Sequence, residues 1–146
     1  MASGMVLPPK LAEMQKQMED YSTEIRKIEQ EYQKVIVGKR SLVEKKSENE
    51  MVMTELSLVT EDDATIYKLV GPVLAKLDLT EAKTNVKTRL EYISKEVDRM
   101  EHLEKEFQGN VEDKRKMIIK LQNDFRAEAQ KMQAAAQAHA QAQAAQ

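Results

Sequence analysis

The sequence predicts a mainly α-helical fold, in which a long antiparallel two-helix coiled coil carries a single β-hairpin at one end. Two long stripes of apolar residues repeat every 3.5 residues, which is the period of a coiled coil. One short pair of apolar runs lies between the stripes and surrounds a Gly-Pro turn. Charged residues make up 33% of the chain and aromatic residues 4%, a composition that suits long exposed helices better than a thick core.

The first stripe predicts a helix over residues 9–59. It steps alternately three and four residues from Leu11, and eleven of its fourteen positions are apolar. Pro9 fits the first helical turn, where its missing N–H has no partner to lose. We interpret Gly38, in the middle of the helix, as a tolerated surface position, with a hinge as the alternative. The stripe consists of Leu11, Met14, Met18, Tyr21, Ile25, Ile28, Tyr32, Val35, Lys39, Leu42, Lys46, Asn49, Met53 and Leu56.

The second stripe predicts a helix over residues 79–132, again with eleven apolar positions out of fourteen. Asp78 is the expected N-cap, with Glu81 three residues later completing an acidic capping box, and Thr80 is the alternative cap. The similar lengths of the two stripes indicate that the helices fold back on each other. The stripe consists of Val86, Leu90, Ile93, Val97, Met100, Glu104, Phe107, Val111, Lys114, Ile118, Leu121, Phe125, Glu128 and Met132.

Three further segments lie outside both stripes. Residues 1–8 contain Gly and Pro, and we expect them to be disordered. Residues 60–63 form a polar turn. Residues 133–146 contain only Ala, Gln and His139, so no apolar seam remains to pair, and we expect this tail to be disordered or frayed and the histidine to be inert.

Residues 64–78 are predicted to form the β-hairpin, with its turn at Gly71-Pro72. Apolar side chains point to both faces, and two helices that meet at one end cannot cover both. We therefore expect the hairpin to pair with strands of other subunits in a shared sheet or intersubunit β-barrel. The alternative is a hairpin that folds down onto its own helices. The assembly residues are Ile66, Tyr67, Leu69, Val70, Gly71, Pro72, Val73, Leu74 and Leu77.

An antiparallel register follows from the position of the hairpin between the two helices. It places Lys39 of the first stripe opposite Glu104 of the second, which are the polar interruptions nearest the middle of each. One hypothesis is a partly desolvated ion pair that fixes the register, since a slip would leave both charges unpaired. The other is that both side chains extend to water.

The free end of the coiled coil collects apolar residues from the start of helix one and the end of helix two. No third element covers this tip, so we expect it to present a patch of apolar side chains, softened by methionines, that adapts to different partners. The alternative is that each residue only completes the seam. The tip residues are Leu11, Met14, Met18, Tyr21, Ile118, Ile119, Leu121, Phe125 and Met132.

Composition and motifs also exclude several classes of function. The net charge is −2 with the two signs interleaved, which argues against nucleic-acid binding. There is no cysteine, no phosphate-binding glycine loop and no nucleophile or metal motif, so we expect neither an enzyme nor a cofactor, and His102 is expected to be solvated. No apolar run is long enough to span a membrane, and residues 1–10 do not read as a signal peptide.

The amino-acid sequence of residues 66–76 (IYKLVGPVLAK), 81–82 (EA) and 87–93 (KTRLEYI) closely resembles that of the β-class subunits of prefoldin, most of all the eukaryotic subunit 6 type. In architecture the resemblance covers residues 10–132, whereas the specific sequence similarity is confined to residues 64–100. A single hairpin matches the β class, since the α class carries two. The tail from Ala134 is not part of the family pattern.

The resemblance implies a heterohexamer, in which this chain joins two α-class and three further β-class subunits through a double β-barrel of hairpins. Such a complex captures unfolded clients such as actin and tubulin between coiled-coil tips. It passes them to the cytosolic chaperonin without ATP, which implies a cytoplasmic location with a possible nuclear pool. The rival interpretation is a structural coiled-coil scaffold that holds no clients and whose seams pair between chains.

Overall fold

The computed structural model describes residues 6–60 and 65–145 and confirms the predicted fold class of two long helices joined through one hairpin. The expected features at residues 1–5 and 61–64 lie outside the described part of the chain. The elements are α1 (Pro9–Leu58), β1 (Ile66–Val70), β2 (Val73–Leu77) and α2 (Leu79–Ala144).

The chain forms two compact units, each built from parts of both helices. The terminal unit combines the chain up to Glu31 with the chain from Glu106 onward. The hairpin unit is the continuous segment Tyr32–Lys105. In each unit α1 and α2 run antiparallel, because a later residue of α1 meets an earlier residue of α2. The contacts Lys10–Glu128 and Glu24–Lys114 show this in the terminal unit, and Lys39–Glu104 and Asn49–Arg89 show it in the hairpin unit.

Both helices begin as their sequences predict. Pro9 is the first residue of α1, and the N–H of Ala12 donates to the carbonyl oxygen of Pro8 at 2.9 Å. Leu79 is the first residue of α2, which leaves Asp78 at the N-cap position and Glu81 in the first turn. The N–H of Ala82 donates to the carbonyl oxygen of Asp78 at 2.8 Å, which closes the first turn of α2.

The seam predicted from the two stripes is the seam that the structure forms. All fourteen positions of each stripe are buried or half-buried, while most of the residues between them are exposed. The most buried apolar side chains are Leu11 and Ile25 in the terminal unit and Ala82, Val86, Ile93 and Val97 in the hairpin unit. Among the described residues no large side chain is completely buried, because each helix has only one partner.

The hairpin is a two-stranded antiparallel sheet with a two-residue turn. Ile66 lies opposite Leu77, and Val70 lies opposite Val73. Gly71 has φ = 57°, the only positive φ among the described residues, which is the pattern of a type II′ turn with glycine at its first central position. Pro72 follows, where its fixed negative φ fits and no ladder hydrogen bond is lost.

The far end of α2 differs from the prediction. The expected end at Met132 is wrong, because the helix continues through the Gln/Ala-rich segment to Ala144. Alanine has the highest helix propensity and glutamine a high one, and the preceding turns already supply the nucleus. Residues 133–144 are exposed throughout, so propensity and not packing accounts for this extension. The first helix ends at Leu58, one residue before its predicted end.

Candidate functional site

The two faces of the hairpin are uncovered. Alternation along the strands places Leu69 and Leu74 on one face and Val70 and Val73 on the other, and all four are 56–69% exposed. Tyr67 is also exposed, whereas only Ile66 and Leu77, next to the helices, are half-buried. The predicted assembly residues therefore form an apolar surface on both sides of the sheet.

The outer edges of the two strands are open as well. Within the described residues β1 pairs only with β2, so each strand presents one unpaired row of N–H and C=O groups. Lys68 and Lys76 interrupt the apolar residues, one on each face. A two-stranded sheet with two apolar faces is marginal alone in water, so this hairpin suits addition to further strands.

The seam of the hairpin unit contains a polar cluster. Lys39 Nζ donates to Glu104 Oε2 at 2.9 Å, and Glu101 Oε1 lies 3.6 Å from the same nitrogen. Tyr32 Oη donates to the other oxygen of Glu104 at 3.2 Å. The side chains of Lys39 and Glu104 are only 28% and 24% exposed. The hypothesis that these two residues form a partly desolvated pair is confirmed. The alternative, in which both side chains extend to water, is not what the structure shows.

The same geometry shifts both pKa values. The hydrogen bond from Lys39 is the main reason that the pKa of Glu104 lies below 4.5, supported by the lysine charge and by Tyr32 and opposed by partial desolvation. The hydrogen bond to Glu104 is likewise the main reason that the pKa of Lys39 lies above 10.5. Both residues are therefore charged across the neutral range.

Asn49 forms a second polar contact in this seam that the sequence did not predict. It is buried, and its Nδ2 donates to the carbonyl oxygen of Lys45 at 2.7 Å. Arg89 Nη1 approaches Asn49 Oδ1 at 3.5 Å from α2. The only available signal was an asparagine within an otherwise apolar stripe, where a single polar residue commonly specifies register.

The structure brings all the predicted tip residues into the terminal unit. Ile119 is the exposed member, at 57%, and its neighbour Met117 is exposed too. Leu11 is buried. The remaining members are half-buried in the seam, namely Met14, Met18, Tyr21, Ile118, Leu121, Phe125 and Met132. Partial access to a row of seam side chains, and not their full exposure, is what this unit offers to a partner.

A shallow open groove runs along one flank of the terminal unit. It consists of two depressions that share Met18 and Gln122. Ser22 and Ala129 are small residues beside the seam, one on each helix, and the groove lies above them. The sequence did not predict this groove, because a heptad pattern identifies the seam positions but not the size of the residues that flank them. We call this feature the flank groove. Its lining includes Met18, Ser22, Ile118, Gln122, Phe125 and Ala129, with Arg26 and Arg126 at its margins.

The terminal unit also contains ion pairs that join the two helices. Lys10 Nζ lies 3.0 Å from Glu128 Oε2, and Lys114 pairs with Glu24. Lys114 also lies over the ring of Tyr21, 5.6 Å from its centroid, at a cation–π distance. Both of these ion pairs therefore join a half-buried seam residue of α2 to a more exposed residue of α1.

The described residues show no arrangement typical of metal or redox chemistry. No group of three or more His, Asp and Glu side chains lies close enough to hold a metal ion within residues 6–60 and 65–145. In the same part of the chain, neither helix contains a stretch apolar enough to cross a lipid bilayer. His102 and His139 are both exposed.

Comparison with known proteins gives a consistent result. The family described as "Prefoldin subunit" matches residues 19–125. Prefoldin subunit 6 of Arabidopsis thaliana is 39% identical over 115 residues, covering 75% of this chain and 84% of that protein. Prefoldin subunit 6 of Homo sapiens is 32% identical over 119 residues, covering 81% of this chain and 92% of that protein.

A solved structure agrees at the level of the fold. The prefoldin beta2 subunit from Thermococcus strain KS-1 superposes with a TM-score of 0.55 at 17% identity, covering 63% of this chain and 97% of that one. The resemblance to β-class subunits, and to the subunit 6 type in particular, is confirmed.

Proposed function

The chain belongs to the prefoldin subunit family, and from this membership we propose that it is one subunit of a hexameric cochaperone. In this proposal it assembles with two α-class and three further β-class subunits. The complex captures unfolded proteins of the actin and tubulin kind without ATP and delivers them to the cytosolic chaperonin. This function implies a cytoplasmic location with a possible nuclear pool, and it involves no catalysis, cofactor, nucleic acid or membrane.

The observation that carries the proposal is the uncovered hairpin. Leu69 and Leu74 on one face and Val70 and Val73 on the other expose more than half of each side chain. Open strand edges beside them can form main-chain hydrogen bonds with hairpins of other subunits. A closed barrel would remove both the open edges and one of the exposed faces, so assembly would stabilise this part of the chain.

Client holding rests on the terminal unit. Ile119 and Met117 are exposed there, and the seam side chains beside them are partly accessible. Each such surface is small, so one subunit would bind an unfolded chain weakly. Several subunits that contact one client together gain affinity through effective concentration, without any new type of contact.

A scaffold whose seams pair between chains has less support. Every position of both stripes already packs within its own chain, so no apolar stripe is left over for a second chain to cover. A scaffold of that kind would have to open both units first.

Assembly is tested by light scattering on the chain alone and after mixing with an α-class prefoldin subunit. We expect a discrete complex of six chains on mixing. Replacing Leu69 and Leu74 together by Asp should abolish that complex while the helical circular dichroism signal is retained, because both side chains are exposed. Ile119→Asp, at an exposed apolar site in the terminal unit, is the matched control and should assemble normally. A stable dimer that ignores the partner subunit would contradict the proposal.

Client holding is tested by the ability of the assembled complex to suppress aggregation of a chemically unfolded protein. Ile119→Ser should weaken suppression without changing assembly, whereas Val37→Ser, which removes an exposed side chain of the hairpin unit, should not. Substitution of Leu121 and Phe125 by Ser is also expected to weaken it, but those half-buried residues support the seam, so their effect must be read together with the melting temperature. Unchanged suppression by all of these variants would reject the terminal unit as the holding surface.

A further inference from the structure

The flank groove is a partly apolar surface of the terminal unit that its own chain leaves open. Its floor is formed by Met18, Ile118 and Phe125, which are seam residues seen from the side. Ile119 lies on the same side of α2, one helical turn before Gln122, and adds an exposed apolar side chain to its margin. The groove therefore continues the apolar surface that the proposed function assigns to client holding.

Small side chains create the groove, and they add no hydrogen-bond donor that lacks an acceptor. Ser22 and Ala129 stand beside the seam where longer side chains would cover Met18 and Phe125. The hydroxyl of Ser22 donates to the carbonyl oxygen of Met18 at 2.9 Å, so its proton already has an acceptor. An apolar segment could therefore cover Ser22 without leaving its hydroxyl proton unpaired.

The charge of its lining is a second property of this groove. Arg26 lines one of the two depressions and Arg126 lines the other, and neither forms an ion pair with a described residue. Glu19 is the one carboxylate in the lining, so the groove carries a net positive charge. By contrast, Lys10, Lys114 and Arg115 of the terminal unit are each paired with a glutamate.

The length of the groove limits what can lie in it. Along α1 it extends from Gln15 to Arg26, about 16 Å at 1.5 Å per residue. An extended chain advances about 3.3 Å per residue, so roughly five residues fill this length. The groove is too open and shallow to enclose a small molecule, whereas an extended segment would cover its whole floor.

We propose that the flank groove binds short extended segments of unfolded chains whose centre is apolar and whose ends carry acidic residues, with Arg26 and Arg126 receiving the two ends. This inference rests on the proposed client-holding function and adds a sequence preference to it. The apolar floor supplies contact area, and the two arginines favour acidic over basic flanks. Because the arginines are at the surface, the preference weakens as salt rises.

The preference is tested with two fluorescent peptides that share one apolar centre and carry either Asp or Lys at both ends. Their binding to the assembled complex is measured by fluorescence anisotropy at low salt. The acidic peptide should bind more tightly, and Arg26→Glu combined with Arg126→Glu should reverse the order, with about a tenfold loss for the acidic peptide. Arg40→Glu, an exposed arginine of the hairpin unit, is the control and should leave the ratio unchanged.

The location is tested by filling the groove. Ala129→Leu places a larger side chain over the floor and should reduce binding of both peptides at least several-fold. Ala127→Leu adds the same side chain at an exposed position on a different side of α2 and should not. Equal binding of the two peptides to the unaltered complex, a charge reversal that leaves their ratio unchanged, or equal effects of the two leucine variants would overturn the groove proposal.

Aggregation suppression by the same complexes separates the two proposals. If the unaltered complex suppresses aggregation but the peptide results go against the groove, client holding stands and the groove assignment falls. If the unaltered complex suppresses nothing, the proposed function itself falls. Suppression that is weaker in Ala129→Leu than in Ala127→Leu would support both.

Discussion

The hairpin unit and the terminal unit are built on the same heptad pattern but use it differently. In the hairpin unit the seam contains hydrogen-bonded polar residues, with Lys39 bound to Glu104 and Asn49 next to Arg89. In the terminal unit the seam also contains charged residues, but each of them pairs with a more exposed residue of α1, as Glu128 does with Lys10. The hairpin unit also contains more of the deeply buried apolar side chains.

This difference indicates in which unit the register of the two helices is fixed and in which unit the seam side chains can adapt to a partner. A polar pair in a seam contributes little net stability, but it penalises any other register, because a slip would strand both charges. We infer that the hairpin unit, which carries the proposed assembly surface, is held in one alignment in this way. The terminal unit leaves Ser22 and Ala129 beside a half-buried apolar seam, so its side chains remain accessible to a partner.

The largest effect on stability should come from truncating the seam, and its size should differ between the units. Ile93 is 5% exposed, so Ile93→Ala should destabilise the chain by about 2–3 kcal/mol. Ile118 is only half-buried, so Ile118→Ala should cost about 1 kcal/mol. Urea unfolding followed by circular dichroism measures both. Equal losses would mean that the seams of the two units are packed equally well, which would contradict the difference between them.

The next effect concerns two glycines with opposite expectations. Gly71 adopts a positive φ, so Gly71→Ala should destabilise the hairpin by about 1 kcal/mol. Gly109 lies inside α2 with open space where a Cβ would stand, so Gly109→Ala should stabilise the terminal unit by about 1 kcal/mol. Melting temperatures of the two variants should therefore move in opposite directions. A shared direction would argue against the turn assigned to residues 70–73.

A smaller effect is expected from exchanging the charges of the seam pair. Lys39→Glu and Glu104→Lys should each lower the melting temperature, and the double variant should regain part of the loss. Recovery should be incomplete, since Glu101 would then repel the new carboxylate and Tyr32 would lose its acceptor. No recovery at all would mean that the pair does not specify the register.

The same pair should give a defined pH dependence. The pKa of Glu104 is lowered on folding, so its contribution to stability is complete above about pH 4.5 and is lost as the pH falls through the lowered pKa. The pKa of Lys39 is raised, so its contribution is complete below about pH 10.5 and is lost as the pH rises through the raised pKa. Replacing both residues by Gln should reduce the dependence of the free energy of unfolding on pH at the acidic and the alkaline extremes. Replacing the exposed pair Glu112 and Lys116 in the same way should not.

The smallest effect should follow from removing the end of α2. Residues 133–146 contribute no seam contact in the described part of the chain, since 133–144 are exposed throughout. A chain that ends at Met132 should lose helical circular dichroism signal. Its free energy of unfolding should change by less than about 0.5 kcal/mol, so its melting temperature should hardly move. A marked fall in melting temperature would show that the tail packs against something in solution.

Much of this architecture can be predicted from the sequence alone. The period of the stripes identified the seam from Leu11 to Leu56 and from Val86 to Met132, because a 3.5-residue repeat maps directly onto one helix face. It missed Ala82, which is buried one helical turn before Val86. Gly71-Pro72 located the hairpin turn, since few residues tolerate its backbone geometry. The end of α2 was not foreseen, because the prediction ended the helix where its apolar seam ended, although alanine sustains a helix without one.

The sequence by itself determined the two helices, the hairpin between them, their antiparallel order and the opposition of Lys39 to Glu104, all of which depend on periodicity and local backbone chemistry. The tertiary structure decided which apolar side chains remain accessible. Most of the tip residues lie half-buried between the helices, while Ile119 and the flank groove are open. Accessibility depends on the size of neighbouring side chains across both helices, here Ser22 and Ala129. A pattern read along one chain specifies which face a residue occupies but not how fully its neighbours cover it.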